Sequence, residues 1–452
     1  MKASDTASLI DPGTLAERRS YWCSRVFAAA WIAYAGFNSC RTLVHWQPVP
    51  VHQDTSLSKL ADLKVFFSLG YVCGQFVAGW AADQYGARRT LLFGGLISVL
   101  ATISTAWNSP LMVFCILQIV NGFAQGFGWP AISKLFSLWL PRAEWAVGFA
   151  WWSTSYVLGS FLFSALSKGA SRIGTLPPVL ASLAPALAPA CVLLLTTCFF
   201  YARTKDLPED VGLEPINPPG RPPAESSGWK GILGNPTIRL LAVMYFFLKL
   251  TRYSLLFWLP LYLLETQRSE RSSFALSSLL ELAGFLGALI AAYVSERLLG
   301  GRRYPVGSTM LFLAAFIFLL HPVVWMLGKI AIGIGIACTG ILVWGPDLLM
   351  TSVAVLEAVP LEQAGRASGF VDGVGSVGQM ISPLVITMFV HSFGWDNLFN
   401  LFFFSTLIAA SLLAKNWNKS RTDDREDPAS GRISEWKAFA LHNTISPKRS
   451  QN

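Results

Sequence analysis

Charge is scarce in this sequence. Asp, Glu, Lys and Arg make up 13% of its 452 residues, against about 25% in an ordinary soluble domain. A soluble chain of this length splits into two or three domains with polar surfaces, and there is too little polar material to cover them. Cysteine is sparse too. The seven present lie in or beside apolar runs without paired spacing, which argues against a disulfide scaffold or a metal site and leaves small hydrophobes. Histidine occurs five times, and no His-Glu-x-x-His pair, nucleophile elbow or Walker loop is present. No covalent chemistry, no cofactor and no enzyme activity is expected. The polar stretch through Arg19 lacks the pattern of a cleavable signal peptide.

What is abundant is apolar sequence: 53% of the chain, with a mean hydropathy of +0.47. Runs long enough to span a bilayer, at about 20 residues each, fall at 26–45, 63–82, 90–107, 111–130, 146–167 and 179–201. After a polar gap they resume at 238–264, 273–295, 305–327, 329–353, 367–391 and 395–415. The expectation is an all-α polytopic membrane protein of twelve helices. It divides into a tail at 1–25, a six-helix bundle at 26–201, a proline-rich irregular linker at 202–237, a second bundle at 238–415 and a tail at 416–452.

Basic residues set the orientation. With both termini in the cytoplasm, the cytoplasmic segments hold 25 of the 35 Lys and Arg. The outer loops and span edges hold seven: Lys59, Lys64, Lys168, Arg172, Arg268, Arg271 and Lys329. That asymmetry obeys the positive-inside rule. The net charge of +9 is therefore a matter of topology, and no nucleic-acid partner is expected.

The two halves repeat. Arg41 and Arg252 are 211 residues apart; Asp83 and Glu296, each followed by an Arg-Arg pair, are 213 apart; Pro130 and Pro346 are 216 apart. A duplicated unit with substrate at the midplane between halves is a transporter architecture. Arg41 and Arg252 each sit inside a span, where an arginine costs about 2.5–3.5 kcal/mol even on lenient scales. Facing each other across a cavity they would repel unless an anion lay between them, and the guanidinium fork suits phosphate oxygens. Snorkelling of each arginine to an interface is the alternative. Lys249, one turn before Arg252, belongs to the site or to another depth. Glu281 is the expected counter-ion of Lys249 or Arg252. Asp347 and Asp372 could do the same or lie at a cavity mouth, and His321 and His391 fall at span ends.

Several segments together resemble the organophosphate:phosphate antiporter family of the major facilitator superfamily. They are Asn121 to Pro130 with Lys134 and Trp139, Arg252-Tyr253 with Trp258, Pro260 and Tyr262, Glu281 to Gly284, and Arg203 to Pro215. Gly345-Pro346 and Gly365 to Phe370 extend the match, and the Gly79–Arg89 loop is similar to the superfamily's signature loop. The resemblance implies the two-bundle facilitator fold. It also implies exchange of a phosphate ester, such as a sugar phosphate or glycerol phosphate, for inorganic phosphate. By the same resemblance Arg41 and Arg252 bind phosphate, while Tyr34, Trp129 and Glu281 line or support the site.

Departures concern the organic moiety. Gln75 replaces a lysine and Tyr156 a histidine of some members, Asn38 replaces a tyrosine, and Thr42 follows Arg41 in place of a basic residue. Gln379 and Ser382 stand where hexose-phosphate carriers have an acidic residue and a lysine. The expected partners are a small phosphate ester, inorganic phosphate and the lipid bilayer. A monomer is expected, in a bacterial inner membrane rather than a eukaryotic endomembrane. A non-transporting sugar-phosphate sensor and a facilitator of another organic anion are the rival readings.

Overall fold

A computed structural model describes residues 14–46, 57–105, 110–161, 178–217, 228–267 and 270–419. Residues 1–13, 218–227 and 420–452 of the expected tails and linker lie outside them. So do Lys168, Arg172 and Arg268, and the side chains of Lys59, Lys64 and Arg271.

The architecture is all helical. In the first half the helices are α1 Leu15–Trp46, α2 Leu57–Tyr85, α3 Ala87–Ser104, α4 Leu111–Gln125 continued by Gly128–Trp139, α5 Trp145–Trp152 continued by 154–161, and α6 Pro178–Arg203. The second half comprises α7 Pro236–Gln267, α8 Glu270–Tyr293, α9 Arg303–Leu319, α10 Lys329–Leu348, α11 Ala364–Phe393 and α12 Leu398–Ala414. Eight helices among the described residues are long and apolar enough to cross a membrane. Twelve spans in two repeated halves are what the hydropathy pattern anticipated. The helices overrun the apolar stretches: α1 begins at Leu15, where Arg18 and Arg25 bond to the carbonyls of Val211 and Arg203.

Apolar attraction between helices vanishes in lipid, so close packing of small residues must hold a membrane bundle together. In the first half Gly70 and Gly74 of α2 lie against the backbone carbonyls of Ile119 and Phe123 of α4, so close that a Cβ would sit 1.9 and 2.1 Å from those oxygens. The second half repeats this between α8 and α10, where a Cβ on Gly287 would lie 2.1 Å from the Ile341 carbonyl. The repeat also shows in irregular geometry. α4 breaks at Gly126–Phe127, just before Pro130, and α10 relaxes into a π-helical turn at Leu349–Val353, just after Pro346. A proline lacks the N–H that a regular helix needs.

The end carrying Arg88, Lys134, Arg142 and Arg203 is the basic face, and there the halves lock together. Asp83, at the end of α2, accepts hydrogen bonds of 2.9 Å from the N–H groups of Gly365 and Arg366, which open α11. It also pairs with Lys134 at 3.1 Å and Arg366 at 3.7 Å. Lys134 in turn donates to the Leu361 carbonyl at 2.5 Å. The α2–α11 seam needs glycine: a Cβ on Gly369 would meet the Gln75 carbonyl at 2.4 Å and the Gly79 Cα at 2.9 Å. The repeat of Asp83 and Glu296 does not extend to this contact. Glu296 pairs with Arg303, which also pairs with Glu357, all within the second half.

The first part of the linker is docked on the first half. Asn217 donates to the carbonyls of Ser137 and Leu140, and Trp139 donates to that of Lys205. Asp206 accepts from the Arg88 N–H at the start of α3, beside Gly86, whose φ of 88° makes the turn between α2 and α3. Burial raises the Asp206 carboxyl above its usual range, with the Arg88 hydrogen bond and charge opposing.

Candidate functional site

Three helices bring polar faces to the junction by simple periodicity. On α1, Tyr34, Asn38 and Arg41 follow at four and three residues; on α2, Tyr71 and Gln75; on α7, Tyr245, Lys249 and Arg252 with Tyr253. Such spacing puts side chains on one helical face. The structure closes these faces around one another.

Arg41 is buried, 9% exposed, so it does not snorkel. Its guanidinium carbon lies 5.1 Å from the centre of the Tyr71 ring and 5.7 Å from that of Tyr34. From the other half, the Lys249 ammonium approaches the same Tyr71 ring at 5.5 Å, and also those of Tyr245 at 4.8 Å and Tyr253 at 5.8 Å. Arg252 lies over Tyr253 at 5.7 Å and Trp344 at 4.5 Å. An aromatic box of tyrosines thus joins the cations of both halves, each contact gaining electrostatic stabilisation from a ring face.

The cations differ in their counter-ions. Lys249, 2% exposed, bonds to Asp372 at 2.6 Å and to the Ser376 hydroxyl at 2.7 Å. Arg252 pairs with Asp347 through one nitrogen and one oxygen, leaving Arg252 Nε and Asp347 Oδ1 without partners. Arg41 has no carboxylate among the described residues, and its Nε and Nη2 have no hydrogen-bond partner. A buried charge without a partner costs several kcal/mol at least. The positive charge of Arg41 thus has no carboxylate to balance it among the described residues.

The expectation for Glu281 is corrected. It forms no ion pair among the described residues; it only lies within the field of Arg252. Asp347 and Asp372 already occupy the two cations at hydrogen-bond distance, and both are buried rather than at a mouth. His321 lies at the end of the ninth helix, as its position in the sequence implies. It is buried, hydrogen-bonded to Tyr262 at 2.9 Å and stacked on Phe399.

Of the other expected residues, Tyr34 and Tyr156 stand together, their hydroxyls 3.2 Å apart. Asn38 holds the Tyr156 carbonyl and the Ser160 hydroxyl at 2.7 and 3.1 Å. Trp129 packs one layer behind, against Trp152, whose ring lies tilted against that of Tyr34 with centroids 4.4 Å apart. Gln75 is buried one turn past Tyr71, with neither amide atom hydrogen-bonded. Tyr71, Tyr245, Tyr253 and Trp344 were not singled out by charge, although their spacing from Gln75, Lys249, Arg252 and Asp347 carried the signal.

Two repeated helical halves meeting along a polar junction are the architecture of a membrane transporter fold. The chain belongs to the Major Facilitator Superfamily, which matches residues 26–354. It is 27% identical over 439 residues to the membrane sensor protein UhpC of Salmonella typhimurium, covering 91% of this chain and 96% of that one. Its identity to the glycerol-3-phosphate transporter of Bacillus subtilis is 24% over 422 residues, covering 88% and 93%. The fold matches the proton:xylose symporter XylE bound to 6-bromo-6-deoxy-D-glucose, with a TM-score of 0.67 over 89% of this chain and 98% of that one at 12% identity.

Proposed function

We propose that this protein is a secondary transporter that exchanges a phosphate ester, a sugar phosphate or glycerol phosphate, for inorganic phosphate by alternating access. The observation that carries the reading is Arg41: a buried guanidinium with unpartnered N–H groups, sharing an aromatic ring with a cation of the opposite half. A tetrahedral anion bridging Arg41 and Arg252 would satisfy both forks and draw the halves together. Exchange follows because an empty carrier keeps Arg41 without a counter-ion, which disfavours its return.

Competition is the test. Phosphate self-exchange in proteoliposomes should be inhibited by phosphate esters and untouched by carboxylates; inhibition by carboxylates alone would overturn the phosphate reading. The similarity to UhpC favours a second reading, a sensor that binds the same esters. Saturable ester binding with no exchange at all would decide for it.

The basic face is proposed to be cytoplasmic, with both termini and the linker on that side, on the ground of the 25-to-7 distribution. A cysteine replacing exposed Glu209 should react with an impermeant maleimide only after cells are permeabilised. Labelling in intact cells would reverse the topology.

A further inference from the structure

Asp347 holds the guanidinium that the proposed phosphate would need. It holds Arg252 by a single contact, and one atom of each partner remains open. It projects from α10 between Pro346 and the π-helical turn at Leu349–Val353, and Thr351 bonds to its carbonyl at 2.7 Å. Single π-helical turns within α-helices are frequent at functional sites.

We propose that Asp347 is an internal competitor of the substrate for Arg252, and that Lys249 receives its carboxylate when substrate displaces it. The inference rests on the phosphate reading of the site. Lys249 lies one turn before Arg252 on α7, and its charge already acts on Asp347. Its present partner, Asp372, engages it through one oxygen and leaves the other open. Lys249 is therefore a holder of carboxylates and not a ligand of phosphate. A charge count gives the consequence. Arg41, Lys249 and Arg252 supply three positive charges. A phosphate dianion with Asp347 and Asp372 supplies four negative ones, before Glu281 is counted. The loaded site carries one carboxylate too many, so Asp347 weakens binding and promotes release. A carrier needs that, since a ligand held too tightly is not let go.

The experiment uses purified full-length protein, with inorganic phosphate as the probe for binding and phosphate self-exchange in proteoliposomes for turnover. Asp347→Asn should bind phosphate about three- to thirtyfold more tightly, the range set by one charged contact, and exchange it more slowly. The charge-neutral pair Lys249→Met with Asp372→Asn should bind phosphate more weakly, because displaced Asp347 has no cation to go to. Adding Asp347→Asn to that pair should restore the affinity. Unchanged or weaker phosphate affinity in monodisperse Asp347→Asn overturns the proposal. If that variant does not fold, unchanged affinity in the Lys249–Asp372 pair overturns it equally. Absence of phosphate binding to the unaltered protein removes the phosphate reading and this proposal together. Normal binding that neither set of changes affects removes only the proposal.

Discussion

Arg41→Lys should abolish most phosphate binding, by about thirtyfold to a thousandfold, while the protein inserts and folds. Lysine keeps the charge and its burial cost but loses the planar fork. Hydrogen bonds to a charged group contribute about 1.5–3 kcal/mol each, and each 1.4 kcal/mol is about tenfold in affinity. The same change at Arg252 should cost less. Arg252 starts from an ion pair with Asp347, so its contact with substrate replaces one it already has, whereas Arg41 has none to give up. The two changes together should cost less than their sum, because neither arginine grips alone. The readouts are equilibrium phosphate binding to purified protein and self-exchange in proteoliposomes. Full exchange by a well-folded Arg41→Lys protein would make Arg41 structural and end the clamp.

Gly369→Val should open the basic face. A Cβ at that position would be pressed onto backbone atoms of Gln75 and Gly79, and backbone cannot rotate away as a side chain can. Gly369 is on α11 and both neighbours are on α2. The strain is relieved by separating the halves without unfolding either. Overpacking of this kind costs about 1–3 kcal/mol or more, and about 2.8 kcal/mol moves a two-state equilibrium by a hundredfold. Spin labels at exposed Tyr85 and Glu362, on the two sides of the seam, should report a longer distance in the variant. An unchanged distance distribution in a folded Gly369→Val protein would show that the seam is not what keeps this face shut.

How much of this was legible in the sequence varied with the physics involved. Arg41, Lys249 and Arg252 stood out because a charge inside an apolar run is costly and therefore informative. The spans and the repeat followed from hydropathy and from the spacing of a few landmarks. Which carboxylate meets which cation did not follow. Asp347 and Asp372 lie 95 and 123 residues from their partners, and the pairing depends on how α10 and α11 are rotated against α7. Glu281 had the right charge and the right span, yet only the packing shows that the two cations are already taken. The tyrosines were hidden for the opposite reason, since an aromatic residue in a membrane helix is ordinary. Their four-residue spacing from Gln75 and Lys249 was the available clue. The linker, proline-rich and mixed in charge, gave no sign that Asp206, Lys205 and Asn217 would bond to the first half.

The one-sided ionic lock has a consequence for the direction of work. Asp83 binds across the seam, while Arg303 and its two glutamates stay within their own half. In the proposed alternating-access cycle, opening the basic face breaks the first network and leaves the second intact. A vacant molecule has two backbone hydrogen bonds and the Asp83 ion pairs to give up before its basic face can part. It should spend its idle time turned to the opposite compartment. With the basic face in the cytoplasm, as proposed, the vacant site waits on the outside, the posture of a scavenger rather than an exporter. Asp83→Asn, which weakens the latch without touching Arg41 or Arg252, should shift that idle posture inward and lower the uptake of scarce external ester more than exchange at saturation; equal losses in both would deny the lock this role.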